Sequence, residues 1–311
     1  MHTYAITGAS AGIIASDQTS RKRKMAKHLT PQNIDALINQ ALAIEDEQAQ
    51  EAGALGFMAR AMVQATLPHR KVTGTEFIRR NGNFTLSLLS PSSIGLPYGP
   101  VPRLLLAWVT TEAVKTKSRE LELGDSMSAF MAELGMSRQG SNITSLKNQT
   151  RRLFNATVSA TYKDGQGVAD IGYRLADRTV LWWHSKDPEQ AGLWKSTVTL
   201  SEHFFNEVVD RPVPIDMRAI KALKQSPMAL DIYMTLTYRM SYLKKPTVIL
   251  WPSLAFQLGS DYSRVRDFKA SFLTELRKVM LVYSGVQVEV MDEGLKIKPS
   301  LTHIPMTKGK P

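Results

Sequence analysis

The chain contains no cysteine. Disulfide staples, cysteine zinc sites and thiol nucleophiles are thereby excluded. The redox compartment stays open, because a cysteine-free chain suits reducing and oxidising surroundings alike. No apolar run approaches the roughly 20 residues needed to span a bilayer. The N-terminus lacks the order of a signal peptide: the basic cluster Arg21-Lys22-Arg23-Lys24 follows the mildly apolar stretch. A cytoplasmic protein with no membrane partner is the expectation. The six histidines (His2, His28, His69, His184, His203, His303) are scattered, without a His-x-His pair or a His-Glu-x-x-His helix. No Gly-x-x-x-x-Gly-Lys-Ser/Thr loop occurs, which disfavours a P-loop ATPase or helicase. No metal site and no cofactor is expected.

Thr7-Gly8-Ala9-Ser10-Ala11-Gly12-Ile13 has part of the nucleotide-binding turn of short-chain dehydrogenases, but Ile14 replaces the last glycine. The chain then runs into the basic cluster in place of a strand–helix–strand unit, and no Tyr-x-x-x-Lys pair follows.

What the chain does have is positive charge. The net charge is +11 over 311 residues. An excess of this size points to a polyanion partner, nucleic acid or an acidic membrane surface. The composition is otherwise that of a soluble globular protein, 43% hydrophobic and 22% charged.

Residues 1–29 are rich in Ala, Ser, Gly and Thr without a sustained period and read as a disordered basic tail, with Met25 an alternative start. Thr30-Pro31 has the form of an N-cap with proline at the first helical position. Ile34, Leu37, Ile38, Ala41, Leu42 and Ile44 predict an amphipathic helix to about Gln50. Its role is left open between self-association and packing on the first domain. A shorter helix around Phe57 to Ala65 completes an N-terminal helical extension, 30–66. Residues 76–80 and 84–88 predict a hairpin turned at Asn81-Gly82.

Beyond this point one order of elements occurs twice. Pro100–Lys115 is a helix, Leu121 a short strand, Ser126–Leu134 a helix ending at Gly135, and Ser141–Phe154 a longer basic helix. A hairpin turned at Asp164-Gly165-Gln166-Gly167 follows, then a strand through Val180-Leu181-Trp182-Trp183. After the proline-marked boundary Asp210–Pro214, a helix from Met217 to Lys224 precedes the repeat. Pro227–Tyr242 is helical, Thr247–Ile249 a strand, Pro252–Leu258 a helix ending at Gly259, Ser263–Val282 a longer helix, and Val286–Val290 with Leu295–Lys298 a hairpin. This is the order of a helix-turn-helix followed by a β-hairpin wing. The predicted fold is α+β: two tandem winged-helix domains, 67–209 and 210–300, with a C-terminal tail at 301–311.

A recognition helix needs one apolar face for the core and one polar face for the major groove. In the second repeat Val265, Phe268, Phe272, Leu276 and Val279 form the apolar stripe. The opposite face carries Ser263, Arg266, Asp267, Ala270, Thr274 and Arg277. Arginine there can grip guanine or phosphate, and small Ala270 and Thr274 let the helix sink into the groove. In the first repeat Ile143, Leu146, Thr150, Leu153 and Phe154 face inward. Ser141, Thr144, Ser145, Asn148 and Arg152 face outward, with Lys147 and Arg151 at the flanks and no acid among them. Asn148 suits an adenine edge, and Lys163 beside the hairpin turn suits phosphate. Each face has a plainer reading as a solvated surface. Trp182-Trp183 offers base stacking but more simply fills a core.

Val101-Pro102-Arg103-Leu104-Leu105-Leu106-Ala107-Trp108 with Leu121-Glu122-Leu123-Gly124 resembles the RepA-type plasmid replication initiators. So do Thr197–Leu200, Arg211-Pro212-Val213-Pro214 and the stretch from Ala229-Leu230-Asp231-Ile232-Tyr233 through Thr237–Tyr242. The likeness covers roughly residues 55 to 300. It implies a protein that binds repeated double-stranded DNA sites (iterons) at a plasmid origin. It further implies help in opening adjacent AT-rich DNA, and recruitment of the host initiator and helicase. A homodimer that represses its own gene and controls copy number, alongside an initiating monomer, is implied as well. A winged-helix transcriptional repressor without initiation activity is the alternative. A primase or nickase would need clustered carboxylates or histidines, and none is visible. No catalysis is expected.

Overall fold

The computed structural model of the chain describes residues 31–124, 126–181, 196–259 and 262–305. The tail expected at 1–29, Trp182-Trp183 and residues 306–311 lie outside these.

Helix α1 (Pro31–Asp46) buries Leu37, Ala41 and Ile44 and leaves Ile38 and Leu42 exposed. Strand β1 (Leu55–Met58) and the short helix α2 (Arg60–Gln64) follow. The helix expected through Phe57 is therefore a strand there, for a non-local reason. β1 runs antiparallel to β9 (Val213–Asp216), setting Phe57 opposite Pro214. The Phe57 N–H donates to Thr111 Oγ1 at 2.8 Å. Strands β2 (Glu76–Asn81) and β3 (Phe84–Leu89) form the expected hairpin with its turn one residue later, at Gly82-Asn83. Gly82 has φ +58, the left-handed value such a turn requires and glycine supplies.

The doubled order is present. First come α3 (Pro100–Thr116), β4 (Glu120–Glu122), α4 (Met127–Glu133), α5 (Gly140–Phe154) and the hairpin β5 (Thr157–Lys163) and β6 (Val168–Arg174). Then β7 (Ala176–Val180), β8 (Thr197–Leu200), α6 (Glu202–Asp210), β9 and α7 (Met217–Leu223) intervene. The order returns as α8 (Pro227–Met240), β10 (Thr247–Leu250), α9 (Trp251–Leu258), α10 (Val265–Val282), β11 (Gln287–Val290) and β12 (Gly294–Lys298). The strand expected to run through Val180–Trp183 ends, as β7, at Val180. Helix α6 and strands β8 and β9 were not anticipated, although α6 carries a local signal. Ser201 caps it by accepting from the Phe204 N–H at 3.2 Å, and Phe204 and Val208 bury one turn apart.

The two repeats wire their strands differently. In the second, β10 pairs with β12, which pairs with β11, so the short strand and the hairpin make one sheet. In the first, β5 and β6 extend the earlier hairpin into a four-stranded sheet, β2-β3-β5-β6. Strand β4 pairs instead with β8 in a separate sheet, β4-β8-β7. Apolar residues of both repeats belong to one continuous buried cluster. Helix α3 is buried all round, as is most of α8.

A buried ionic network joins α3 to α8. Arg103 donates from Nε and Nη2 to the two carboxylate oxygens of Asp231, at 2.6 and 2.7 Å. It also donates to the Leu67, Pro68 and Gly99 carbonyls, at 2.7, 3.3 and 2.7 Å. His69 Nε2 lies 2.7 Å from Asp231 Oδ2. Burial opposes ionisation of Asp231. The Arg103 charge and the hydrogen bonds from His69 and Arg103 outweigh it and hold the carboxyl below its ordinary value. Burial lowers His69 below its ordinary 6.5, only partly offset by Asp231. At neutral pH Asp231 is therefore a carboxylate that only accepts, and neutral His69 donates its Nε2–H.

Helix α1 packs on α10 of the second repeat and on α7, the helix that precedes that repeat. Arg218 fixes its end. The guanidinium holds Asp216 at 2.8 Å and donates to the Ala43 and Glu47 carbonyls at 3.1 and 2.8 Å, satisfying groups the α1 C-terminus leaves open.

Two predictions follow from the network. Replacing Asp231→Ala strands the Arg103 charge in the core and lowers stability by about 3–5 kcal/mol, whereas the paired change Arg103→Met with Asp231→Leu costs far less; urea unfolding at pH 7.5 measures both. The depressed folded-state value of His69 makes the unfolded chain the stronger proton binder, so its contribution is present above pH 6.5 and lost as pH falls below it. Unfolding free energy should drop between about pH 7 and pH 5, and His69→Gln should flatten that slope.

Candidate nucleic-acid interface

Helix α5 turns the expected core residues inward: Leu146, Thr150, Leu153 and Phe154 are buried. Ser141, Thr144, Asn148 and Arg151 are exposed at three- and four-residue steps, so they lie on one stripe. Lys147 is half-buried beside them.

Arg152, expected on the outer face, is instead half-buried. It donates to the Leu96 carbonyl at 3.1 Å and lies over the Tyr98 ring at 5.5 Å. Its neighbour Gln149 is buried, and its Oε1 accepts from the Tyr98 N–H at 2.9 Å. Two polar side chains thus bind the 95–98 loop, which rotates the free face toward Arg151. Helical spacing alone could not show this, because the loop partner is some fifty residues away in sequence.

The β5–β6 hairpin projects beside α5 in sequence and ends in a self-braced turn. Asp164 Oδ1 accepts from the Gln166 and Gly167 N–H groups at 2.9 and 3.0 Å. Lys163 at its base is exposed.

Helix α10 buries Phe268, Phe272, Leu276 and Val279. Val265, expected in this stripe, is 42% exposed at the helix start, beside Phe256 at 67%. Ser263, Arg266, Ala270 and Arg277 are exposed. Thr274 is half-buried, and its hydroxyl donates back to the Ala270 carbonyl at 3.0 Å. Asp267 is shared by two arginines: Arg264 contacts it at 2.9 Å and Arg266 at 3.8 Å. Arg264 was not anticipated, though it lies directly ahead of the helix. The C-terminal end of α10 meets α1, around a cavity lined by Ile44 and Ala49 on one side and Val282 and Gly285 on the other. The opposite end carries Ser263, Arg264 and Arg266.

The second hairpin differs from the first in charge. Its tip is Asp292-Glu293, and Lys269 donates to the Met291 and Asp292 carbonyls at 3.3 and 3.4 Å while lying 4.8 Å over the Trp251 ring. Glu289 contacts Lys298 at 3.0 Å and Lys296 at 3.6 Å. The Lys298 hydrogen bond and the two lysine charges hold its carboxyl below the ordinary range. The cations of this hairpin are thus engaged within it, whereas Lys163 makes no ion pair among the described residues.

Among the described residues no cluster of three or more histidine and carboxylate side chains is placed to hold a metal ion. No helix among them is long and apolar enough to cross a membrane.

A solved structure, the selenomethionine crystal structure of domains 2 and 3 of RctB, superposes with a TM-score of 0.52 at 13% identity. It covers 76% of this chain and 94% of that one. At this identity the likeness is one of fold. A second crystal structure of RctB domains 2–3 gives a TM-score of 0.48 at 14% identity, covering 76% of this chain and 96% of that one. No curated protein matches the chain. The family model described as plasmid encoded RepA protein matches residues 96–252, from the loop before α3 to the first turn of α9. That span takes in α5, its hairpin, the Arg103–Asp231 pair and just over half of the sequence: the chain belongs to the plasmid-encoded RepA protein family.

Proposed function

We propose that this protein is a plasmid replication initiator that binds repeated double-stranded DNA sites at its origin through two winged helices. One observation carries the reading: each repeat holds a helix behind a Leu-Gly end with its apolar side buried and its polar side open to solvent, followed by a hairpin. On α5 the open stripe is Ser141, Thr144, Asn148 and Arg151, flanked by Lys147, with Lys163 in reach of the backbone. It contains no acid. Asn148 suits an adenine edge and Arg151 a guanine or a phosphate. On α10 Ser263, Arg264 and Arg266 lead the helix into the groove, Ala270 permits close approach, and Arg277 reaches phosphate. Arg152 and Thr274 support their own helices and have smaller parts.

The winged-helix units are residues 67–209 and 210–300, with 30–66 as an extension whose helix α1 braces the second and whose strand β1 contacts α3 of the first. Two heads on one chain read successive major-groove faces of an asymmetric site. Distorting DNA across several repeats favours opening of an adjacent AT-rich segment, where flexible steps deform cheaply. Host initiator and helicase are then recruited to the opened origin. The protein performs no catalysis and uses no cofactor in this scheme, and it works in the cytoplasm.

DNase footprinting on the DNA flanking the gene is expected to show protected direct repeats; their absence overturns the reading. A plasmid carrying only this gene and its upstream DNA should replicate. Failure to replicate with intact operator binding would make the protein a repressor. Arg266→Glu with Arg277→Glu should weaken site binding at fixed salt by about tenfold or more. Arg151→Ala should reduce the slope of log affinity against log salt by about one without moving Tm. Arg152→Ala should do the reverse, lowering stability by about 1–2 kcal/mol with little change in affinity.

A further inference from the structure

Outside both helix faces, a cavity of about 220 Å³ opens between the start of α2, β9, α8 and the C-terminal segment. Its walls are mainly apolar: Pro212, Val213, Pro214 and Ile304 line it, with Tyr238 at one side. Arg60 and Arg211 stand on its boundary. Among the described residues neither guanidinium makes a hydrogen bond or an ion pair. Arg60 shares the α2 region with Glu207, but Glu207 is engaged elsewhere, accepting from the Ala61 N–H at 3.2 Å and from the Tyr173 hydroxyl.

Size and charge together define an occupant. An engineered apolar cavity of about 150 Å³ takes one benzene ring, and drug-sized ligands need about 300 Å³ or more. The present volume suits a single bulky apolar side chain. Two unpaired guanidinium groups at the boundary suit carboxylates on either side of that anchor, bound bidentately. A buried apolar anchor ringed by charge is the usual energetic centre of a protein–protein contact. We propose that this cavity docks a short acidic segment of a partner protein, with one phenylalanine- or leucine-sized side chain inserted and flanking carboxylates on Arg60 and Arg211. The site gives the recruitment part of the functional reading a surface and a partner chemistry. It rests on that reading only for the biological role of the partner.

Fluorescence anisotropy tests it with full-length protein and a labelled peptide, Gly-Asp-Glu-Phe-Asp-Glu-Gly. The peptide should bind saturably. Replacing its Phe by Ala, or its four acids by Lys, should weaken binding at least tenfold. Arg211→Glu, an exposed position that the fold does not use, should weaken it at least tenfold. Thr302→Trp, which fills the cavity, should do the same with Tm and origin-DNA affinity unchanged. Absence of peptide binding, or binding indifferent to both variants, overturns the proposal. So does saturable binding of benzoate alone, which would make the cavity a small-anion site. Loss of DNA affinity in Arg211→Glu would assign the arginines to the DNA surface. Because the DNA assay is run in parallel, failure here leaves the DNA reading intact, and failure there leaves peptide binding measurable.

Discussion

The fold depends on one charge kept deep in an apolar interior. Asp231 sits on α8, Arg103 on α3 and His69 in the loop before them, and all three are buried. Two charges taken out of water are each strongly penalised, and attraction repays that only when every remaining donor and acceptor is engaged. Here Arg103 reaches both carboxylate oxygens and three backbone carbonyls, and His69 brings a further donor. That geometry admits one mutual placement of the two long helices. An apolar pair in the same space would bind them as well but would tolerate sliding. The network therefore sets register between repeats, and each repeat's outward helix hangs from one of the fixed pair.

Much of this was legible in the sequence. Repetition of helix, strand, Leu-Gly-terminated helix, longer helix and hairpin came through because each element carries its own local signature: a serine cap at Ser126 and Ser226, proline in the first turn of α8, glycine at the turns. The apolar stripes of α5 and α10 came through for the same reason, since helical period is a local property. What failed was whatever depends on distant partners. Phe57 joins a strand because β9 lies beside it, and four residues offer no period with which to announce that. Gln149 and Arg152 look like surface groups until the 95–98 loop is in place. Arg103 stands inside a leucine-rich run, and nothing near it in sequence shows that a carboxylate 128 positions later will receive it.

The doubled architecture is not a doubled interface. The first repeat offers an acid-free helix face and a hairpin with a cation beside its turn. The second offers arginines at the head of its helix, tempered by Asp267, and a hairpin whose lysines Lys296 and Lys298 are held by Glu289 while its tip carbonyls hold Lys269 of the helix. Phosphate attraction is thus expected from the hairpin of one repeat and from the helix head of the other. On the proposed reading, such inequality would give a single chain a direction on an asymmetric site, which a pair of equal heads would not have.

The pairing of β1 with β9 has a consequence for how the protein is made. Leu55 meets Asp216 and Met58 meets Val213, so β1 waits for a partner synthesised at least 155 residues later. Helix α1 waits as long, because Arg218 closes its end. Contacts of such separation form slowly and late. At ordinary elongation rates of about 5–20 residues per second, the nascent chain spends on the order of ten seconds with these apolar segments uncovered. The sheet's topology thus sets how long these segments stay uncovered, and slower translation would lengthen that interval.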